Sequence, residues 1–225
     1  MSKGEKMKYP YLLFDLDGTL TNPKEGITRC VQFALGHMGI IEDDPEKLTS
    51  FIGPPLIPAF MEKYRMTTEE ATEALGWYRK RFVDVGIFEN EVLDGIPQML
   101  ADLKKKGYYL AVASSKPEPY VIRILEKFDL LAFFDQVIGA SMDEKRSEKK
   151  DIITEALRRI GIREDQKDKV LMIGDREHDV EGAKLCGIAS LGVYAGFARE
   201  GELEEAGADY ICANVAEMHD LLMDL

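Results

Sequence analysis

Two carboxylates one residue apart, Asp15 and Asp17 in Phe14-Asp15-Leu16-Asp17-Gly18-Thr19, stand immediately after an apolar run. Side chains alternate along extended backbone, so this pair tends to point the same way. Carboxylates this close repel each other unless a proton or a cation intervenes, and a hard, oxygen-seeking ion such as magnesium resolves the conflict. Asp-x-Asp also opens calcium-binding EF-hand loops, in which the sixth position is glycine and the twelfth glutamate. Here those positions are Leu20 and Gly26, which removes the calcium reading.

Three other segments end in groups that could join the first. Val170-Leu171-Met172-Ile173-Gly174-Asp175 repeats the order of apolar strand and carboxylate, and Asp175 is expected at the strand tip as a metal ligand. Asp179, four residues on, reads equally as a site residue or as an acid in the first turn of the next helix. Leu110-Ala111-Val112-Ala113 leads into Ser114-Ser115-Lys116-Pro117, where hydroxyls and free backbone N–H groups before a helix could cradle a phosphate. Serine at a strand end is also ordinary turn chemistry. The basic run Lys145-Arg146-Ser147-Glu148-Lys149-Lys150 could supply one fixed positive charge, though most lysines in such a run are solvated.

The elements that must position these groups are legible as a rhythm. Apolar runs at Tyr11 to Phe14, Tyr108 to Ala113, Gln136 to Ala140, Val170 to Ile173 and Ser190 to Tyr194 alternate with helical patterns such as Ile152, Ile153, Ala156, Leu157 and Ile160, stopped by Gly161. This pattern predicts an α/β fold with a parallel sheet covered on both faces. In such a sheet ligands bind beyond the carboxyl ends of the strands, which is where all the candidate groups fall. One interval breaks the rhythm. From about Lys24 to Asp94 no strand is expected, and helical stretches appear at Ile27 to Met38 and at Thr68 to Val85, the second behind a capping box of Thr67 and Glu70. The expected division is a core of residues 1–22 and 93–225 with a helical insertion at 23–92, which could close over a site at the strand ends.

Bulk properties narrow the partners. A net charge of −12 argues against a nucleic-acid polymer and leaves room for a small phosphorylated metabolite held through a cation. No apolar run reaches the roughly 20 residues needed to cross a bilayer, and Met1 to Tyr9 is polar, so a cytoplasmic location without membrane contact is expected. Cys30, Cys186 and Cys212 lack metal or disulfide spacing and read as small buried hydrophobes.

These motifs, in this order and spacing, resemble the haloacid dehalogenase superfamily, in the branch with a helical cap inserted between the first and second motifs. The resemblance covers about Lys8 to Leu225 and implies a three-layer Rossmann-like core with the Asp15 strand between those ending at Ser114 and Asp175. It implies a Mg2+-dependent phosphatase in which Asp15 is the nucleophile that forms an aspartyl-phosphate. It implies that Asp17 serves as general acid and base, which requires a raised pKa. Asp15, the backbone carbonyl of Asp17, Asp175 and Asp179 would hold magnesium. Ser114 would bind the transferring group, with Lys149, or its rival Lys150, as the fixed cation. Gly18, Thr19, Ser115, Lys116 and, from the insertion, Gly53 are the expected substrate contacts. Within the branch the chain resembles a 5′-nucleotidase-like group and, less closely, phosphoglycolate phosphatases. A mutase, or a non-catalytic binding module, would use the same fold. Trp77 and Tyr78 are expected in the core of the insertion, and His178 at the surface or in a cap.

Overall fold

The computed structural model describes residues 7–143 and 145–225; the first six residues of the expected core segment 1–22 lie outside the described residues. The chain opens with β1 (Tyr11–Phe14), the two-residue β2 (Thr21–Asn22) and α1 (Lys24–His37), followed by a 3-10 segment at Pro45–Phe51, α2 (Leu56–Tyr64) and α3 (Thr68–Phe82). It returns through the two-residue β3 (Glu91–Val92) to α4 (Ile96–Lys106), β4 (Tyr109–Pro117), α5 (Glu118–Lys127), β5 (Gln136–Ala140) and α6 (Lys149–Ile160). The remainder is β6 (Val170–Gly174), α7 (Glu177–Cys186), β7 (Ala189–Val193), α8 (Glu202–Ala206), β8 (Tyr210–Cys212) and α9 (Val215–Asp224).

Six strands form one parallel sheet in the order β5-β4-β1-β6-β7-β8, with β1 between β4 and β6. Alternation along β1 explains why it needs cover on both sides. Leu12 and Phe14 face a core shared with Leu100, Leu110, Val121, Ile173 and Met218, whereas Leu13 faces Ile152, Ile153, Met172 and Ala183. All of these are less than 2% exposed, so the three-layer Rossmann-like architecture buries the central strand completely. The three cysteines are buried and unpaired.

Two details depart from the sequence expectation. The interval from Lys24 to Asp94 contains a strand after all: Glu91 and Val92 pair antiparallel with Asn22 and Thr21, closing the neck where the chain leaves and re-enters the sheet domain. A strand of two residues is too short to show alternation, so no sequence pattern marks it. The edge strand β8 was missed for the same reason; short edges of this kind also resist pairing with other chains. The capping box is formed as expected. Thr67 Oγ1 accepts from the Glu70 N–H at 3.2 Å and Glu70 Oε2 accepts from the Thr67 N–H at 2.8 Å. Thr67→Ala is expected to cost about 0.5–2 kcal/mol, read as a fall of several degrees in the thermal midpoint.

Within the insertion α1 and α2 pack on α3, with Phe51 against Phe60 at 5.0 Å between ring centroids. It meets the sheet domain through Phe82 on Tyr120, at 5.5 Å, and through hydrogen bonds from Arg123 to the Val83 carbonyl (2.9 Å) and from Arg176 to the Ile52 carbonyl (3.1 Å).

Candidate active site

At the carboxyl end of β1 the Asp15 N–H is held by the Ile173 carbonyl at 2.8 Å, which continues the sheet for one residue and fixes the side chain beyond it. The chain then turns sharply, with Gly18 at φ +87°. A Cβ at Gly18 would lie 2.1 Å from Asp175 Oδ2, so both the left-handed backbone and the approach of Asp175 demand glycine. Asp175 sits at the end of β6 with no exposure. Its Oδ1 accepts from Thr19 Oγ1 at 3.2 Å and its Oδ2 from the Phe197 N–H at 2.8 Å. Asp179 lies in the first turn of α7, where its Oδ2 accepts from the Arg176 N–H at 3.2 Å. It is therefore both a helix-start acid and a member of the cluster.

Asp15, Asp175 and Asp179 are all buried and can each place a carboxylate oxygen within 4.8 Å of the others. Lys149, on the first turn of α6, reaches into this group. Its Nζ donates to Asp15 Oδ1 at 2.7 Å and to the Ala113 carbonyl at 3.1 Å, and lies 2.7 Å from Asp179 Oδ1. Gly182 on α7 lets the lysine stem pass, since a Cβ there would come within 2.8 Å of Lys149 Cγ. Lys150 is exposed and points elsewhere. Asp17 is paired with Lys116, whose Nζ lies 2.7 Å from Oδ1 and 2.5 Å from Oδ2.

Burial dominates the electrostatics. It pushes the Asp175 carboxyl well above the ordinary carboxylate range, reinforced by Asp179 and Asp15. It raises Asp179 too, with Lys149 opposing, and raises Asp17 against the pull of Lys116. Burial alone would lower Lys149, but Asp15 and Asp179 outweigh it and hold the ammonium charged far above neutral pH.

The site is four buried carboxyls against two ammonium groups, Lys116 and Lys149. Asp179 Oδ1, although 2.7 Å from Lys149 Nζ, has no partner in hydrogen-bonding geometry. An all-oxygen donor set, with one Asp179 oxygen held by ion pairing alone, would carry two more negative charges than the two ammonium groups balance once all four carboxyls ionise; this fits a hard divalent cation, and magnesium matches it.

Beside this cluster a cleft is lined by Asp15, Asp17, Gly53, Ser114, Ser115, Lys116, Lys149, Arg176 and His178. The pairing of β4 with β5 shifts register between Ala113 and Pro117, a local irregularity that aims Ser114, Ser115 and Lys116 at the cleft. Gly18 and Thr19 stand behind it, with the Thr19 hydroxyl committed to Asp175. Lys116, expected on substrate, rests on Asp17. His178 lines the cleft. Beyond Lys116 the space widens into a chamber between insertion and sheet, walled by Phe51, Leu75, Tyr78, Phe82 and Tyr120 with Arg79. Tyr78 is a core residue that also faces this chamber, whereas Trp77 stacks on His37 at 3.7 Å. Sequence reasoning missed the loop after β7, where Gly196 comes so close to Asp175 that a Cβ would lie 2.2 Å from Oδ2. It also missed Glu202. The glycine just past a strand end was the available signal for that loop.

The family model for haloacid dehalogenase-like hydrolases matches residues 12–193. A Pseudomonas aeruginosa protein named 5′-nucleotidase is 43% identical over 216 residues, covering 96% of this chain and 96% of that protein. A Mycobacterium tuberculosis protein named tyrosine-protein kinase PtkA is 34% identical over 213 residues, covering 94% of this chain and 72% of that one. A crystal structure described as a predicted phosphatase from Clostridium acetobutylicum superimposes with a TM-score of 0.92 at 45% identity, covering 96% of this chain and 99% of the other. With strand order, carboxylate cluster, family model and relatives in agreement, the chain belongs to the haloacid dehalogenase-like hydrolase family.

Proposed function

We propose that this phosphoric monoester hydrolase works through a phosphorylated Asp15 and depends on magnesium, with residues 23–92 as a cap over the site. The observation that carries the reading is the convergence of Asp15, Asp175 and Asp179, with the Lys149 ammonium on Asp15 and Asp179, beside a cleft lined by Asp15, Asp179 and Lys149. Magnesium held by Asp15, the Asp17 carbonyl, Asp175 and Asp179 would supply positive charge to the phosphoryl oxygens. The chain's own groups do the rest. Asp15 attacks phosphorus, and as the ester P–O bond breaks Asp17 gives its proton to the departing oxygen. Asp17 then takes a proton from the water that attacks the aspartyl-phosphate, releasing inorganic phosphate and restoring Asp15. Ser114, Ser115 and Lys149 offer donors to the transferring group. A phosphate entering beside Lys116 competes with Asp17 for that ammonium, which frees the carboxyl to carry its proton.

The chamber favours a 5′-nucleoside monophosphate over phosphoglycolate. Its walls carry four aromatic rings, Phe51, Tyr78, Phe82 and Tyr120, an apolar lining that a nucleobase would cover. Phosphoglycolate would leave most of that apolar wall uncovered. A phosphate-release screen over nucleoside monophosphates, phosphoglycolate, sugar phosphates, pyrophosphate and phosphotyrosine, with and without magnesium, tests both parts. Isomerised sugar phosphate in place of free phosphate would instead identify a mutase, and phosphotyrosine formed from ATP a kinase. Full activity in excess chelator would sink the metal requirement.

Metal binding and pH are linked with a definite sign. The raised pKa of Asp175 means that the metal-free native state binds more protons than the unfolded chain between the unfolded value, about 3.9, and the raised one. Stability of the metal-free protein therefore falls as pH climbs through that window, and magnesium, which needs the ionised carboxylate, restores it. At a magnesium concentration about 100 times Kd the gain is about 2.7 kcal/mol, or roughly 5–10 °C for a chain of this size. The thermal shift is expected to be larger near pH 8 than near pH 5. An equal shift at both would count against carboxylate ligation.

A further inference from the structure

The residue after Asp175 joins the two halves of the site. Arg176 Nε donates to Glu202 Oε1 at 2.7 Å, and Nη1 donates to the Ile52 carbonyl of the insertion at 3.1 Å. Glu202 is buried and held in turn by two backbone donors, the Glu177 N–H on Oε1 at 3.0 Å and the Arg199 N–H on Oε2 at 3.1 Å. The guanidinium is thus fixed from the sheet side before the insertion arrives. On the insertion side Ile52 is fully buried, so its carbonyl cannot shift without the loop moving. Gly53, at φ +103°, turns the chain there and presents its Cα face to the Arg176 Cγ, where a Cβ would sit at 3.6 Å. Arg176 and Gly53 both line the cleft that contains Asp15, Ser114 and Lys149. The Arg176 backbone N–H is bonded to Asp179. One residue therefore touches the carboxylate cluster with its backbone, the sheet domain with Nε and the insertion with Nη1.

We propose that Arg176 is a positioning residue, a clasp carried on Glu202 that docks the Ile52–Gly53 loop over the phosphoryl cleft and so sets the fraction of molecules in which that cleft is complete. The clasp builds on the phosphatase reading for its kinetic consequence but not for its structural one. Swinging the insertion away breaks the Nη1 bond to Ile52 and leaves Arg176 waiting on Glu202, so reclosure needs no reordering of the arginine. A lysine cannot reproduce this, because one ammonium lacks the planar fork that reaches two acceptors in opposite directions.

The test uses the full chain with Arg176→Ala, Arg176→Lys and Glu202→Gln, assayed for kcat/KM on AMP and on p-nitrophenyl phosphate and by amide hydrogen exchange. Loss of a charge-assisted hydrogen bond predicts a fall of roughly ten- to hundredfold in kcat/KM for Arg176→Ala, with Arg176→Lys between it and the parent. Exchange of the amides of residues 51–53 should quicken in Arg176→Ala and Glu202→Gln while α3 keeps its protection. Arg199→Ala, which breaks an exposed pair with Glu205 of α8 and keeps the backbone N–H that holds Glu202, serves as the control without effect. Unchanged exchange at 51–53, exchange quickened evenly over the whole chain, or kcat/KM within about twofold of the parent overturns the clasp. Asp15→Asn is assayed in parallel: turnover surviving there overturns the phosphatase chemistry, and the loop exchange then decides the clasp alone.

Discussion

Replacing Asp15 with asparagine is expected to abolish phosphate release, with a loss on the order of 10⁴-fold or more, and to leave the fold intact. The side chain stands one residue past β1, and its backbone N–H remains bonded to Ile173 whatever the side chain carries. Asparagine keeps the size of the carboxylate and can still accept from Lys149. It lacks the anionic oxygen that attacks phosphorus, so no covalent intermediate forms and the remaining binding groups can only hold substrate. Neutralising Asp15 relieves its repulsion with Asp175 and Asp179, both of which are raised in part by Asp15, and Lys149 keeps Asp179 as its partner at 2.7 Å. The metal-free variant should therefore be no less stable than the parent. The check is a pair of measurements, turnover with magnesium and thermal midpoint without it. Turnover above about one per cent of the parent in a well-folded variant would remove Asp15 from the role of nucleophile.

Lys149→Met should damage both activity and stability. The lysine is the ammonium within 2.7 Å of both Asp15 and Asp179, and it is almost wholly buried. Breaking a buried ion pair by removing one partner costs about 3–5 kcal/mol, because the other charge is left without compensation. Here two carboxylates lose their partner, and methionine keeps the stem that packs beside Gly182, so the loss reports charge more than volume. Turnover should fall by roughly 10²–10³-fold, the usual effect of deleting a group that stabilises transition-state charge. Magnesium should recover part of the stability, since it brings positive charge to the same carboxylates, but little of the rate. The measurements are thermal midpoints with and without magnesium and kcat at saturating metal. A variant as stable as the parent without metal would show that Asp15 and Asp179 do not need the lysine, and parental kcat would remove it from the chemistry.

The sequence determined the groups that follow directly from strand ends. Asp15, Ser114 and Asp175 each sit just past an uninterrupted apolar run, and a parallel sheet must bring such ends to one edge. Thr67 with Glu70 fixed a helix start because a capping box is satisfied within four residues. Those features depend on neighbours in the chain, and neighbours are what a sequence displays. Their roles in catalysis rest on the experiments above.

Pairings across the fold were not legible. Lys149 reaches Asp15 over 134 positions, Lys116 reaches Asp17 over 99, and Arg176 reaches Ile52 over 124. Lys149 and Lys150 are adjacent cations in one basic run, and only the direction in which α6 leaves the sheet decides that the first is buried and the second solvated. Glu202 read as one acid among many until burial and three donors gave it a fixed place. Chain order and residue type determined which groups stand at the sheet edge. The packing of α6, α7 and the insertion decided which of them touch, because a contact between distant residues is a property of closure in three dimensions that no local pattern encodes.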